Sequence, residues 1–175
     1  MSCRPLSRWL FGKLPGLGDF VSRGVDFAFR DALDLWISEE IETARARFGD
    51  NFDEKYFAAP AWHFVDRDLQ GQWSGGALCA SVDAAGRKFS LMTAIPANDA
   101  DEAAQLAGGC LEVLYAALAE GWDADRLQAA DVIAVDRAWR PTDSCWALIG
   151  EEGDWLELPG RFPQGIVTQM LEVAA

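Results

Sequence analysis

The chain has 175 residues, of which 50% are apolar, and its 15 basic and 28 acidic side chains give a net charge of −13. A chain of this length fits one domain and buries about 70% of its unfolded surface, which excludes intrinsic disorder and any need for disulfides or metals to hold a core. The negative charge disfavours nucleic acid and anionic membrane surfaces as partners.

The sequence predicts a soluble, cytoplasmic protein. The apolar run Trp9-Leu10-Phe11 is far short of the roughly 7 to 15 residues of an export signal. No stretch approaches the roughly 18 apolar residues of a membrane span. The cysteines are widely spaced and include no CxxC pair, so we expect reduced thiols at Cys3, Cys79, Cys110 and Cys145.

The N-terminal part predicts a strand, a turn and a long helix. Residues 8–14 are typical of a strand, and residues 15–19 form a glycine-rich turn in which we expect positive φ angles. Apolar residues then recur at the spacing of one helical face until Gly49, a natural stop: Phe29, Leu33, Trp36, Ile37, Ile41, Ala44 and Phe48. A polar loop is expected at residues 51–55.

The middle of the chain predicts a hairpin. Residues 62–65 indicate a short strand, and residues 77–83 and 88–95 alternate in polarity on either side of a glycine-containing loop at 84–87. A second helix follows to about Glu120, opened by the capping-box spacing of Asp99 and Glu102. Its Gly108-Gly109 pair indicates close packing on another element.

The C-terminal part predicts two strands, at residues 132–135 and 145–149, and a closing helix at 164–173. Helix, hairpin, helix and further strands together favour an α/β domain with a sheet covered on both faces. No internal repeat or linker divides the chain, so we expect one domain over residues 1–175.

The sequence offers few catalytic groups. The one histidine, His63, lies in an apolar strand, where a hydrogen-bonded structural role is the more common one. Ser81 and Asp83 lie two apart on one strand face without a Gly-x-Ser-x-Gly turn, so a hydrolase triad is rejected. Asp66-x-Asp68 and Asp99-x-Asp101 do not continue into a calcium loop, and no zinc set is present. We therefore expect no catalytic residue, metal or cofactor.

Two further patterns bear on binding. Gly16-x-Gly18 lacks the third glycine of a dinucleotide loop and is interpreted as a turn. Among the eight tryptophans, Trp122 and Trp155 lie among acids and are candidates for surface contacts. Residues 99–157 hold fourteen acids and three arginines, a net −11 that either steers a basic partner or simply forms a solvated face.

Three sequence blocks, taken in series, resemble the TagF (ImpM) family associated with bacterial type VI secretion. They are residues 12–20 (GKLPGLGDF), residues 59–64 (APAWHF), and residues 73–89, which begin WSGG and end SVDAAGRKF. Two positions depart from the family pattern: Ser90 stands where a proline is common, and Trp146 stands alone where a tryptophan pair is usual.

The resemblance implies a three-layer α/β/α sandwich, for which we expect a mixed, largely antiparallel central sheet. It also implies a cytoplasmic accessory protein that restrains type VI secretion after translation by binding the forkhead-associated scaffold protein of the system. With the lack of catalytic groups, we expect this protein to be non-enzymatic. Some relatives are fused to a serine/threonine phosphatase domain, for which 175 residues leave no room.

We expect partner binding around the first block and the hairpin loop, where Asp83 and Arg87 can form an ion pair. The predicted contact residues are Lys13, Gly16, Gly18, Asp19, Phe20, Asp83, Gly86 and Arg87. One alternative is a phosphate or nucleotide sensor, or an enzyme, with a pocket around Lys13, Asp19, Ser81, Asp83 and Arg87. Another is a structural subunit of the secretion apparatus.

Overall fold

A computed structural model describes residues 7–150, 153 and 155–174, so Cys3 lies outside the described part. Seven strands and five helices follow one another along it. The elements are β1 (Trp9–Gly12), β2 (Val21–Arg23), α1 (Phe27–Phe48), α2 (Phe52–Ala58), β3 (Trp62–Arg67), β4 (Trp73–Val82), β5 (Lys88–Ala97), α3 (Ala100–Glu120), α4 (Ala124–Ala129), β6 (Cys145–Ile149), β7 (Trp155–Pro159) and α5 (Ile166–Glu172).

The strands form one sheet in the order β2-β1-β5-β4-β3-β6-β7, so the α/β class is confirmed. All six pairings between described strands are antiparallel, and the expectation of a mixed sheet is wrong for this part of the chain. The helical connections explain this, because β2 to β3 and β5 to β6 join strands that are not neighbours in the sheet. Neither connection therefore forms a βαβ unit, which would place two parallel strands side by side.

Apolar side chains leave the sheet on both faces. In β1, Trp9 and Phe11 pack in a cluster with residues of α1, α2 and α5, whereas Leu10 packs in a second cluster with residues of α3 and α4. This alternation follows from the two-residue period of a strand. Side chains on both faces of β1 therefore pack in clusters that include helical residues.

Helix α1 has the ends that its sequence indicates. The Asp26 carboxylate accepts a hydrogen bond from the Phe29 N–H at 2.7 Å, and Gly49 ends the helix at φ 54°. Its buried Glu40 accepts bonds from the N–H groups of Gly165 and Val167, at 3.0 and 3.3 Å. A carboxylate on α1 thus fixes the start of α5, 125 residues later in the chain.

Residues 51–55 are not the polar loop that their composition predicts. They belong largely to α2, whose Phe52 and Tyr56 are buried one helical turn apart. The Tyr56 hydroxyl donates to the backbone carbonyl of Phe89 at 2.5 Å. A helix with only two inward side chains shows little periodicity, which is why the pattern concealed it.

Residues 132–135 are not a strand. They have no regular secondary structure and lie across α3, where the Val135 N–H donates to the Gln105 carbonyl at 2.9 Å. A Cβ at Gly108 would lie 2.7 Å from the Val135 oxygen, and one at Gly109 would lie 2.2 Å from the Ile133 oxygen. The glycine pair therefore gives the close approach that its position in a helix predicts, and the partner is this segment.

Candidate functional site

The first and third sequence blocks meet at one end of the sheet. Lys13 follows β1 and opens a loop over residues 14–20, while residues 83–87 link β4 to β5. The two loops are joined directly, since the Ala84 N–H donates to the Leu17 carbonyl at 2.7 Å. The Arg87 Nη2 donates to the Gly18 carbonyl at 2.9 Å. All eight predicted contact residues thus lie together on this pair of loops.

A buried carboxylate holds the two loops together. Asp83 Oδ2 accepts from Lys13 Nζ at 3.0 Å and from Arg87 Nε at 2.7 Å. Its Oδ1 accepts from the backbone N–H groups of Ala85 and Arg87, at 3.0 and 2.9 Å. The side chain of Asp83 has no exposed surface, and Lys13 is also buried. The expected Asp83–Arg87 ion pair is present, and Lys13 makes it a triad.

Asp83 is held in its charged form. Burial alone would raise the pKa of Asp83, but the hydrogen bonds from Lys13 and Arg87 outweigh burial and hold this pKa well below its usual range. Four donors occupy the acceptor positions of the carboxylate. Asp83 therefore has no lone pair left for a metal or a proton-transfer step, and its chemistry is to order the loops.

Phe20 closes the top of the triad. Its ring lies 5.0 Å from Lys13 Nζ, stacks on Phe11 at 5.8 Å and meets the edge of Phe89 at 4.8 Å. It is nevertheless 40% exposed. Asp19 beside it is exposed and accepts from the Phe20 N–H at 2.7 Å. Phe20, Asp19 and the exposed Arg87 side chain form the accessible surface of the site.

The glycines in these loops play different roles. Gly86 has φ 78° and is the left-handed residue of the hairpin loop. Gly16 and Gly18 do not adopt positive φ, contrary to expectation, and a Cβ at either would meet no atom within 4 Å. The glycine that a close backbone approach requires lies before that turn instead. Gly12 has φ 137°, and a Cβ there would lie 2.0 Å from the Ser90 oxygen.

Ser81 does not share the accessible surface of the site. It is buried, and its hydroxyl donates to the Lys13 carbonyl at 2.7 Å. A ligand bound by Lys13, Ser81 and Asp83 would have to displace three internal contacts. These are the bonds of Asp83 to Lys13 and to Arg87 and the bond of Ser81 to the Lys13 carbonyl. Within the described residues, no group of three His, Cys, Asp or Glu side chains is placed to hold a metal ion.

His63 occupies a second location, in β3, and it is 4% exposed. Neither ring nitrogen makes a hydrogen bond within the described structure, so the expectation of a hydrogen-bonded histidine is wrong. Burial, together with the nearby Arg137 charge, lowers the pKa of His63 to about 4. The nearby backbone of Ala147 raises this pKa, but its contact with the ring does not have hydrogen-bond geometry. A buried polar group without a partner costs about 1–3 kcal/mol.

A cleft of about 550 Å³ lies beside His63. It is lined by Pro60, Ala61, Leu111 and Tyr115 together with the charged residues Glu112, Asp136 and Arg137. Glu112 and Arg137 form an ion pair at 2.6 Å. The second sequence block contributes Pro60, Ala61 and His63, but the sequence gives no sign that a helix and the 132–140 segment would enclose a cleft next to it.

Two tryptophans were predicted at the surface. Trp155, in the edge strand β7, is 41% exposed. Trp122 is half-buried, with the Arg126 guanidinium 4.4 Å from its ring and its indole N–H donating to Glu120 at 2.8 Å. Trp155 is therefore the one of the two whose ring remains open to a partner.

Cys79, Cys110 and Cys145 are free thiols, and burial raises the pKa of each to about 12. No helix among the described residues has the length and apolar character needed to cross a membrane.

Fold and site together define an α/β protein on a seven-stranded antiparallel sheet, with two loops joined by a buried ion triad at one end. The family model described as "TagF N-terminal domain, Type VI secretion system-associated" matches residues 10–133. The chain belongs to this family.

A solved structure is similar to the chain over most of its length. The crystal structure of PA0076 from Pseudomonas aeruginosa PAO1 aligns with a TM-score of 0.59 and 22% sequence identity. The alignment covers 96% of this chain and 78% of that one. At this identity the likeness shows the fold alone. A search of curated proteins gives no match.

Proposed function

We propose that the protein is a non-enzymatic regulator that restrains type VI secretion after translation, in the cytoplasm, by binding a protein partner. The observation that carries the proposal is the meeting of two family sequence blocks on the Lys13–Asp83–Arg87 triad. An internal ion network of this kind supports binding rather than catalysis. It holds the shape of a surface, and its charged groups are already bonded to one another. The proposal includes the three-layer α/β/α arrangement, which helices on both faces of the sheet support.

The proposed partner is the forkhead-associated scaffold protein of the secretion system. Its contact surface would be the accessible part of the two loops, namely Asp19, Phe20 and the Arg87 guanidinium around the backbone of Gly16 and Gly18. An aromatic ring bordered by charged groups is a common composition for a binding hot spot. The triad beneath would reduce the entropy lost on binding, because the loops are already ordered.

The binding test uses the purified chain and the scaffold protein. We expect Asp19→Lys to weaken the complex at least tenfold in titration calorimetry, with an unchanged melting temperature, because Asp19 is exposed. Asp50→Lys is the matched control, an equal charge change on an exposed residue in the turn after α1. Equal affinities for both variants would place the contact elsewhere. In cells, unchanged secretion after deletion of the gene would reject the regulatory role.

The two alternatives give different results in the same assays. A phosphate or nucleotide sensor would show a raised melting temperature with inorganic phosphate or ATP. We expect none, because Lys13 Nζ and Arg87 Nε are bonded to Asp83. A structural subunit would co-purify with the assembled apparatus in fixed proportion, whereas a regulator would be recovered with the scaffold.

A further inference from the structure

Two adjoining clefts form one groove at the end of the sheet, here called the terminal groove. The cleft beside His63 shares Pro60, Ile149 and Gly150 with a second cleft of about 400 Å³, which is also lined by Trp155, Leu156 and Val173. The terminal groove thus lies beside β3, β6 and β7, and α3 and the 132–140 segment form one of its walls. The loop site described above belongs to β1, β4 and β5.

The terminal groove exposes apolar surface. Tyr115, Trp155, Leu156 and Val173 are between 37% and 54% exposed, although all four are large and apolar or aromatic. Exposed apolar side chains scattered singly are ordinary on a protein surface, but a contiguous group around a concave site marks an interaction surface. Trp155 is the side chain best suited to anchor a partner, since tryptophan is enriched among residues that dominate binding energy.

The terminal groove is lined by two acids, each paired with an arginine. Glu112 pairs with Arg137 at 2.6 Å and Asp136 with Arg140 at 2.9 Å, and the side chains of both acids are more than half exposed. The whole chain carries a net charge of −13. This field attracts a segment rich in lysine or arginine and repels an acidic or phosphorylated one.

Two further observations point to an occupant. His63 lies at the wall of the groove, nine-tenths buried, with both ring nitrogens unpartnered in the described structure. In addition, β7 is the last strand of the sheet and, among the described strands, pairs with β6 alone, so its outer edge presents backbone N–H and C=O groups. Extended segments bind to edges of this kind by adding a strand.

We propose that the terminal groove binds a basic, extended segment of a partner protein. An apolar side chain of that segment packs on Trp155, and its lysine or arginine side chains lie over Glu112 and Asp136. The proposal goes beyond the function proposed above and does not depend on it, because the groove shares no residue with the loop site.

The test uses His63 as a reporter, since it is the one histidine of the chain. Its ring C–H resonances are followed by NMR while the full chain is titrated, at 150 mM salt, with three synthetic twelve-residue peptides. One alternates lysine and leucine, the second alternates glutamate and leucine, and the third alternates lysine and serine. We expect the lysine–leucine peptide to shift the His63 resonances at least ten times more strongly, at equal concentration, than either other peptide.

Variants decide whether the shift arises from the groove. We expect Trp155→Ala to weaken lysine–leucine binding at least fivefold and Glu112→Gln to weaken it at least twofold. Leu69→Ala is the matched control, because Leu69 is 92% exposed and does not line the groove, and it should bind as the native chain does. Equal shifts with the glutamate peptide, or equal loss in Leu69→Ala and Trp155→Ala, would overturn the proposal. Scaffold binding measured on Trp155→Ala separates this result from the fate of the loop site.

Discussion

At the scale of the residue, the triad of Lys13, Asp83 and Arg87 holds the two loops in one arrangement. Removing a carboxylate and an ammonium group from water is costly, and their mutual attraction offsets this only with good geometry and further hydrogen bonds. Asp83 meets that condition through its two backbone donors as well as its two charged partners. The same triad is intolerant of change, because removing one member leaves the others buried without a partner.

The change Asp83→Asn tests this intolerance. It keeps the size of the side chain but leaves the buried Lys13 ammonium without its counter-charge, so we expect a clear fall in the urea midpoint. Asp53→Asn is the control, since the Asp53–Lys88 ion pair involves an exposed carboxylate and should change stability by less than about 1 kcal/mol. Equal midpoints for the two variants would show that the triad does not stabilise the fold.

Asp83 also determines how the stability of the fold falls at acid pH. Because its folded pKa is lowered, its contribution to stability is complete above the unfolded pKa of about 4 and is lost as pH falls below that value. The native chain should therefore lose stability steeply with acid below about pH 4. Asp83→Asn should lose less over the same range when its unfolding is followed by circular dichroism. Parallel pH profiles would contradict this.

His63 predicts a separate loss of stability at milder pH. Its folded pKa of about 4 lies below the unfolded value of about 6.5, so the unfolded chain takes up the proton first. The contribution is complete above about pH 6.5 and is lost as pH falls toward 4, by about 2 kcal/mol at pH 5. Urea unfolding at pH 7.5 and pH 5 measures this loss, and His63→Gln should lack it. An NMR titration that gives a His63 pKa near 6.5 would contradict the prediction.

The candidate site was predictable in part. The sequence places Asp83 and Arg87 four residues apart around a turn, which indicates their ion pair, and the three blocks in series single out Lys13. Nothing local shows that Lys13 is buried or that Ser81 lies beneath it, because both facts depend on how β1 pairs with β5 and β5 with β4. The unpartnered state of His63 likewise depends on α3 and on residues 132–140, which are distant in sequence.

At the scale of the element, the contact between α3 and residues 132–135 explains why this helix has two glycines at its centre. Glycine costs about 1 kcal/mol relative to alanine in a helix interior. Here that cost is offset by the approach of the 132–135 backbone, which a methyl group would prevent. The same logic applies to Gly75 in β4, where a Cβ would lie 1.8 Å from the Ala103 oxygen of α3.

The variant Gly109→Ala tests this contact. An isolated helix would gain stability from alanine, but here the new Cβ would lie 2.2 Å from the Ile133 oxygen, and we expect a net loss of about 1–2 kcal/mol. Hydrogen exchange at the Val135 N–H should also become faster, since its bond to Gln105 is displaced. Gly16→Ala is the control with open space around it. A stabilised Gly109→Ala would refute the contact.

The elements that were predictable share a physical property. Helix α1, helix α3 and the β4–β5 hairpin each carry enough inward side chains to show a period, and the structure confirms all three. The elements that were not predicted are short, namely β2, α2, α4 and β7. Residues 132–135 have the β-branched composition of a strand, yet they lie on a helix. Composition gives the preference for an extended backbone, but it does not give the surface on which that backbone lies.

At the scale of the whole molecule, one end of the sheet carries both surfaces. Strand registers place the start of β3, the end of β4, the end of β6 and the start of β7 at the same end. The loop site and the terminal groove therefore open in the same direction, on either side of the central strands. A change in one surface is testable without the other, because their linings share no residue.

The family model spans residues 10–133, yet the sheet and core extend beyond it. Strand β6 pairs with β3, which is otherwise an edge, and α5 contributes four fully buried side chains to the cluster on the α1 face: Ile166, Val167, Met170 and Leu171. A chain that ends at residue 133 would expose that cluster and the free edge of β3 together. Residues 10–133 should therefore fail as a folding unit.

This prediction also tests the single domain expected from the sequence. We expect the full chain to unfold in one step, with the same urea midpoint by circular dichroism and by tryptophan fluorescence. A fragment of residues 7–133 should show no cooperative transition and should bind a dye for exposed apolar surface. Two separate transitions in the full chain, or a sharp transition in the fragment, would contradict the single domain. In that case β6, β7 and α5 would be an addition to a core that is already complete, and the contacts from Glu40 to the start of α5 would be dispensable for folding.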